Sequence, residues 1–457
     1  MLLYKLTLIC CRKQVYVLKS FRGGIHPIKH GGKRATRNEP IREFEPGTVI
    51  IPMQMHMGPP CTPCVEKGQR VLKGQLIGEP QGFLGVPIHA SVSGTVLCVE
   101  KHQFADSQPV LCVEIQNDYA NEWVSDLHGL TEEEIENTEK FVEAVKNAGI
   151  VGMGGAAFPT HVKLTVPNGK NCDTILINGV ECETHITCDH RIMLEQPELV
   201  VDGLHLTMRA LKVSKGIICI EDNKPEAIQA IKEVVKNYEN ISVLVLKTKY
   251  PQGSEKQLIQ VATGREVPSC GLPIDVGVIV INASTSKAIS DAIRKGLPLI
   301  SRVTTVTGKV NRPSNLLVPV GSIFYDLIGA CDGYSEEPKK ILLGGCMTSP
   351  CAPTEDIVVC KATGGIVVLG KHEAKFAEES ACIRCARCVY VCPAGLLPHA
   401  LKFDCDKNDM KAAISRNIKD CILCGCCSYV CPASRYLTPS FKVMKEKIAQ
   451  AERRAKQ

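Results

Sequence analysis

Aromatic residues are scarce in this chain, at 5% of 457 residues with a single tryptophan. So few rings leave no base-stacking surface to expect, and a net charge of only +6 supplies no strong field for a phosphate backbone. Nucleic acid is therefore not an expected partner. Long apolar runs are also missing. None reaches the ~18 residues that a bilayer-crossing helix needs, and the stretch Leu2 to Cys11 is short and broken by Lys5. Neither a membrane span nor a signal peptide is expected.

What the chain has in abundance is cysteine, 25 in all. Without an oxidising compartment a disulfide framework is not expected, so these thiols point to metal–thiolate chemistry in a reducing cytoplasm. The length exceeds what one hydrophobic core organises, and 44% apolar residues are ample for burial, so three or four domains are expected.

The cysteines are patterned. Cys382, Cys385, Cys388 and Cys392 with Pro393 form a Cys-x2-Cys-x2-Cys-x3-Cys-Pro motif, repeated as Cys421, Cys424, Cys427 and Cys431 with Pro432. Three thiolates at this spacing can wrap one corner of a 4Fe-4S cubane, and in two-cluster ferredoxins the fourth cysteine serves the other cluster. Two clusters are predicted, one on Cys382, Cys385, Cys388 and Cys431, the other on Cys421, Cys424, Cys427 and Cys392. Zinc is the competing reading, but its thiolate sites pair Cys-x2-Cys knuckles. Cys405 and Cys426 are left as free thiols, and Cys61-Thr-Pro-Cys64 as spare ones outside any thioredoxin-like pattern.

Upstream the pattern changes several times. Residues 1–45 read as an irregular basic segment wrapping other domains. Short Val/Ile runs among Gly and Pro over 46–118 read as a small all-β domain. Thr131 to Glu134 forms a capping box, and one helix is predicted from there to Gly149. Apolar runs at 174–178, 216–220 and 242–246 alternate with helical stretches such as Pro225 to Tyr238, which gives an α/β domain over 130–265. Residues 266–350 read as a compact α+β module and 370–440 as the cluster domain. The tail 441–457 reads as a solvated helix.

Gly152-Met-Gly-Gly-Ala-Ala-Phe158-Pro159 satisfies a G-x-G-x-x-A pattern, yet a helix precedes it where a dinucleotide fingerprint requires a strand. Its glycines still allow backbone N–H groups close to a phosphate or flat ring, and a plain turn is the alternative. Lys163 follows at a distance suited to a phosphate. Glu181 and Glu183 come just after a predicted strand, where they either accept hydrogen bonds from a ligand or are simply solvated.

Taken together, Phe21-x-Gly-Gly-Ile-His-Pro27, the glycine-rich segment, Asn178-Gly-Val-Glu-Cys-Glu183, Tyr250-Pro-Gln-Gly-Ser-Glu-Lys-Gln-Leu258, Gly264-Arg-Glu-Val267 and the cysteine repeats resemble RnfC, a component of the Rnf electron transport complex. That complex is a membrane-bound ferredoxin:NAD oxidoreductase that pumps ions. The resemblance runs over roughly residues 18–440, and residues 1–17 match nothing. The middle third is also similar to the NADH-binding flavoprotein subunit of complex I. The resemblance implies FMN held by Gly152, Gly154, Gly155, Lys163, Asn178, Glu181, Asn282 and Thr285. It also implies NAD(H) facing Phe158, Lys163, Glu183 and Glu255. Val180 and Ser254 depart from the complex I pattern, where acidic residues stand.

The same resemblance implies a multidomain α/β and α+β fold: a barrel-sandwich β domain without a lipoyl lysine around Gln81 to Gly85, a Rossmann-like FMN/NADH domain, a β-grasp module, and a bacterial-ferredoxin-like α domain. The implied partners are NADH and the other Rnf subunits, membrane-embedded and ferredoxin-like, which would hold the chain peripherally at the cytoplasmic side of the cell membrane. A flavin takes electrons in pairs and releases them singly, so it suits the junction between nicotinamide and clusters. Two alternatives remain: a corrinoid reductase of similar layout, and a cluster-only electron wire.

Overall fold

The computed structural model describes residues 18–456 apart from 28–31, 104–108 and 353. Residues 1–17 and part of the basic N-terminal loop lie outside it.

The β domain is a pair of facing sheets. Thr48–Pro52, Val110–Asn117, Gly94–His102 and Arg70–Val71 form one, and Thr62–Pro63, Leu76–Glu79 and Ile88–His89 the other. Alternation along Thr48–Pro52 sends Val49 and Ile51 inward to meet Ile77, Ile88, Val113 and Ile115, as a two-faced antiparallel sheet requires.

The α/β domain is built on four parallel strands. Their spatial order is Ile241–Leu246, Lys215–Glu221, Thr174–Gly179, Val278–Asn282, or third, second, first, fourth in the chain. Both faces of the first strand are covered, which is why Thr174 to Gly179 reads as a near-continuous buried run. The order reverses between the first and fourth strands, and ligand crevices of α/β sheets form at such switch points.

Here the expected boundary at 265/266 is corrected. The strand Val278–Asn282 and helix Ala283–Lys295 belong to the parallel sheet, because its first strand has an open edge that only a fourth parallel strand closes. The following module is a six-stranded mixed sheet running Ile41–Glu43, Ser314–Pro319, Ser301–Gly308, Gly365–Leu369, Lys340–Leu342 and Cys351–Ala352. It therefore extends past 350. It also recruits Ile41–Glu43 from the N-terminal segment expected to be irregular. Buried Asn315 stitches that segment down, its Nδ2 donating to the carbonyls of Thr36 (2.8 Å) and Glu39 (3.0 Å).

Two further expectations change. The helix predicted from Thr131 to Gly149 is two helices, Glu132–Ile135 with its capping box and Thr138–Asn147, because the Asn137 side chain caps the second by accepting from Glu139 and Lys140 N–H. The tail is solvated over most of its residues but not over all of them. It belongs to the helix Leu437–Lys456, whose Phe441, Met444 and Ile448 are buried against Leu401, Ala413 and Ile418 as the core of the cysteine domain.

Candidate functional site

The site grows from the switch point. Asn178 and Asn282 are register partners at the carboxyl ends of the first and fourth strands. Asn178 donates from Nδ2 to the Gly253 carbonyl at 2.8 Å and accepts the Val180 N–H. Asn282 caps the helix Ala283–Lys295 by accepting the Thr285 N–H at 3.2 Å, and its Nδ2 donates to Asp189 at 2.7 Å.

The glycine-rich segment lies across this edge. Thr285 Oγ1 accepts the Met153 N–H at 2.9 Å, and the Phe158 carbonyl accepts Gly152 N–H at 2.8 Å. A Cβ on Gly154 would sit 2.9 Å from Asn282 Nδ2, so any larger residue would have to displace the Asn282 side chain. A Cβ on Gly155 would meet no atom within 4 Å. The loop thus presses on the sheet at Gly154 and offers open space at Gly155. As the spacing required, a helix and not a strand leads into it.

Lys163 and Glu255 come together at 2.9 Å, with Lys163 Nζ also donating to the Val280 carbonyl at 3.0 Å. Phe158 is half-buried at the end of the loop. Glu183 turns elsewhere: its carboxylate accepts from Met347 N–H (3.2 Å) and Thr348 Oγ1 (2.6 Å). Glu181 is buried, with Oε1 accepting the Asp189 N–H at 2.7 Å and Oε2 3.4 Å from Lys33 Nζ. Burial pushes its carboxyl above the usual range, and that effect outweighs the opposing charges of Lys33 and Lys224.

The cysteines gather in two places. Cys382, Cys385, Cys388 and Cys431 line a cavity of about 530 Å³, and Cys392, Cys421, Cys424 and Cys427 line a smaller one of about 20 Å³. Each set takes three thiols from one motif and the last from the other. Burial raises the Cys388, Cys392 and Cys421 thiols and pushes Cys427 up to about 12. Burial opposes thiolate formation at these positions, while the hydrogen bond with Cys426 lowers Cys424 to about 7, and a bound metal centre would stabilise a full set as thiolates. The donor set fits an iron–sulfur cluster in each place. Cys426, expected to be an ordinary free thiol, is fully buried on the wall of the second cavity against Tyr250.

The turn Tyr250 to Gly253 joins the two regions. Tyr250 donates its hydroxyl proton to the Cys424 carbonyl at 2.8 Å, while Gly253 accepts from Asn178. Gln257 reaches the Pro393 carbonyl at 3.4 Å, and Gly24 N–H donates to the Val391 carbonyl at 2.8 Å. Sequence reasoning missed Lys33, Asp189 and Ser284, which donates to Asp189. Their roles arise from pairings across 93 to 148 residues of chain, and no local spacing encodes them.

Two family models match the chain: the Nuo51 FMN-binding domain over residues 145–291 and the RnfC barrel sandwich hybrid domain over 19–120. Among curated proteins, the C subunit of the Na(+)-translocating ferredoxin:NAD(+) oxidoreductase complex of Acetobacterium woodii is 45% identical, over 95% of this chain and 98% of its own length. The proton-translocating counterpart of Clostridium ljungdahlii is 44% identical over 84% of each chain. The corresponding component of the ion-translocating oxidoreductase complex of Rhodobacter capsulatus is 40% identical over 96% of this chain and 85% of its own.

Proposed function

The chain belongs to the RnfC family of ion-translocating ferredoxin:NAD(+) oxidoreductase complexes, and we propose from that premise that it is the complex's FMN- and iron–sulfur-bearing electron-transfer subunit. It exchanges hydride with NAD(H) and single electrons with partner subunits. The observation that carries this reading is the Tyr250 to Gly253 turn, which touches Asn178 at the switch point and Cys424 beside the second cysteine cavity.

In this reading the backbone of Gly152, Gly154 and Gly155 cradles the FMN, with Asn178, Asn282, Thr285 and Glu181 shaping the crevice and Lys163 supplying positive charge. Phe158, Lys163, Glu183 and Glu255 border the nicotinamide dinucleotide, with Lys163 and Glu255 holding each other in position. FMN, when bound, supplies the conversion between paired and single electrons. Cys382, Cys385, Cys388 and Cys431 hold one 4Fe-4S cluster, and Cys421, Cys424, Cys427 and Cys392 the other. No helix among the described residues is long and apolar enough to cross a membrane. Family membership supports attachment to the cytoplasmic face through the other subunits of the complex.

The test is anaerobic purification of the full chain with iron and flavin analysis and NADH titration. The expected result is iron for two four-iron clusters, one FMN per chain, and bleaching of flavin absorbance by NADH; absence of bleaching overturns the reading. Crossed ligation makes a second prediction. Cys392→Ala should disturb the cluster built on Cys421, Cys424 and Cys427 in electron paramagnetic resonance spectra, leaving the Cys382, Cys385 and Cys388 cluster intact. Damage confined to the latter would reject the crossed sets.

A further inference from the structure

We infer that the β domain carries a zinc site of its own, built on Cys98, His102 and Glu114. Cys98 and His102 lie on the strand Gly94–His102, and Glu114 on its antiparallel partner Val110–Asn117. Each offers one ligand atom, and the three atoms all lie within 4.8 Å of one another. Among the described residues no other three His, Cys, Asp or Glu side chains gather this closely. All three are half-buried, so the ligands are partly shielded from water yet open to an entering ion. None of them is assigned to FMN, to NAD(H) or to a cluster.

An irregularity in the strand pairing brings the ligands together. Val96 opposes Ile115 but Cys98 opposes Glu114, so Leu97 is left without a partner. In an unbroken strand Cys98, two residues on, would follow Val96 onto the core face. The extra residue reverses that. Val99 meets Val113 at the core instead, and Cys98 turns to the other face beside Glu114. His102, four residues beyond Cys98, falls on the same face by the strand's period of two. Without the bulge the thiol would point away from both of its companions.

A thiolate, an imidazole and a carboxylate select a borderline-soft divalent ion. Calcium and magnesium take oxygen ligands, whereas zinc accepts sulfur, nitrogen and oxygen in one tetrahedral shell. Charge balances as well, since thiolate and carboxylate together neutralise the ion while the imidazole stays neutral. Of the other charges near Cys98, Glu100 and Lys67 act in opposite senses. Cys98 Sγ donates to Glu114 Oε2 at 3.3 Å, the bond that a protonated thiol makes. When zinc binds, that proton leaves to solvent, sulfur–zinc and carboxylate–zinc bonds replace the hydrogen bond, and water takes the fourth position. The ion then ties the two strands together next to the bulge, where their ladder is interrupted.

The experiment adds zinc sulfate to the anaerobically purified full chain, removes loosely held metal with a mild chelator, and reads zinc content, zinc K-edge X-ray absorption and melting temperature. One zinc per chain is expected, with a single sulfur at about 2.3 Å and nitrogen and oxygen at about 2.0–2.2 Å. Cys98→Ser, close to the native side chain in size, should remove the sulfur contribution and weaken binding about a hundredfold or more. His102→Ala and Glu114→Gln should each weaken it about tenfold or more, and Glu100→Gln should leave it in place. Zinc should raise the melting temperature of the native chain and not that of Cys98→Ser, while the two melt alike in chelator. Failure to retain one zinc overturns the proposal. So does a shell of two or more sulfurs, which would put the ion on other cysteines, or a sulfur contribution that survives Cys98→Ser. Weakening by Glu100→Gln equal to that by Glu114→Gln would mean attraction by surface charge alone and would overturn it too. No NADH is added and iron and flavin contents are not the readout, so each failure leaves the electron-transfer reading untouched.

Discussion

Lys33 holds the site together from outside it. Its Nζ pairs with Glu181, donates to the Glu181 and Ile186 carbonyls, and so fixes the reversal after the first strand, where Glu181 itself has φ +47°. Glu181 in turn caps the helix Cys188–Glu195, whose Asp189 orients Asn282 and Ser284 under the glycine loop. Removing one partner of a buried pair leaves the other charge uncompensated, which costs about 3–5 kcal/mol. Lys33→Met is therefore expected to lose about that much stability near neutral pH, read by chemical denaturation. The sign of its pH dependence follows from Glu181. A carboxyl whose folded pKa lies above its unfolded value contributes stability that is present below the unfolded value and lost as pH rises to the folded one. Without Lys33 that folded value climbs further, so the deficit should be greatest at neutral pH and shrink toward mildly acidic pH. A deficit independent of pH would show that Lys33 acts through its carbonyl bonds alone.

Elements were legible in the sequence wherever a repeat or period set them locally. The three central strands and the capping box at Thr131 are of this kind, and the structure places them as expected. The helix-led glycine segment likewise ruled out a standard dinucleotide fingerprint. What stayed hidden depends on partners distant in the chain. Ile41–Glu43 is three residues long and becomes a strand only because it pairs with Ser314–Pro319. Val278–Asn282 reads as the start of a new module until the open edge of Thr174–Gly179 claims it. The terminal helix misled for another reason: a sparse apolar stripe of Phe441, Met444 and Ile448 among many charges looks solvated, yet a small cysteine domain offers few other large side chains for its core. Phe441 is 1% exposed, and truncating a buried phenylalanine costs about 3–5 kcal/mol. Phe441→Ala should therefore release cluster absorbance at lower denaturant than the native chain while flavin fluorescence still reports a closed crevice. Simultaneous loss of both signals would mean that the two domains unfold as one unit.

At the scale of the whole molecule, three domains meet around buried bases that burial drives toward their neutral forms. Lys361, 2% exposed, donates to the Pro87 carbonyl of the β domain at 2.9 Å and to the Gly149 carbonyl at the entrance of the glycine loop at 2.7 Å. Around it lie His56, His89 and His161, the last with its Nε2 at 3.2 Å from the Phe83 carbonyl. Burial lowers Lys361 from 10.5 to about 7, with Cys61 opposing, and lowers His56 to about 4 and His89 to about 3. A base whose folded pKa is depressed binds fewer protons folded than unfolded between the two values, so stability rises with pH across that window. The histidines act over the acid range below their ordinary 6.5, and Lys361 acts from about 7 toward 10.5. Lys361 by itself should accordingly contribute a rise in melting temperature above pH 7, opposed at higher pH by buried thiols such as Cys61, Cys112 and Cys360, which burial pushes up to about 11 or 12. Lys361→Met, of similar length and no charge, should flatten that upper limb and, because the Lys361 charge helps lower His56 and His89, also make the histidine-driven limb below pH 6.5 shallower. The same junction carries the glycine loop, so any weakening should also appear as earlier release of FMN on acidification. An upper limb that survives the substitution would assign the alkaline gain to groups outside this junction.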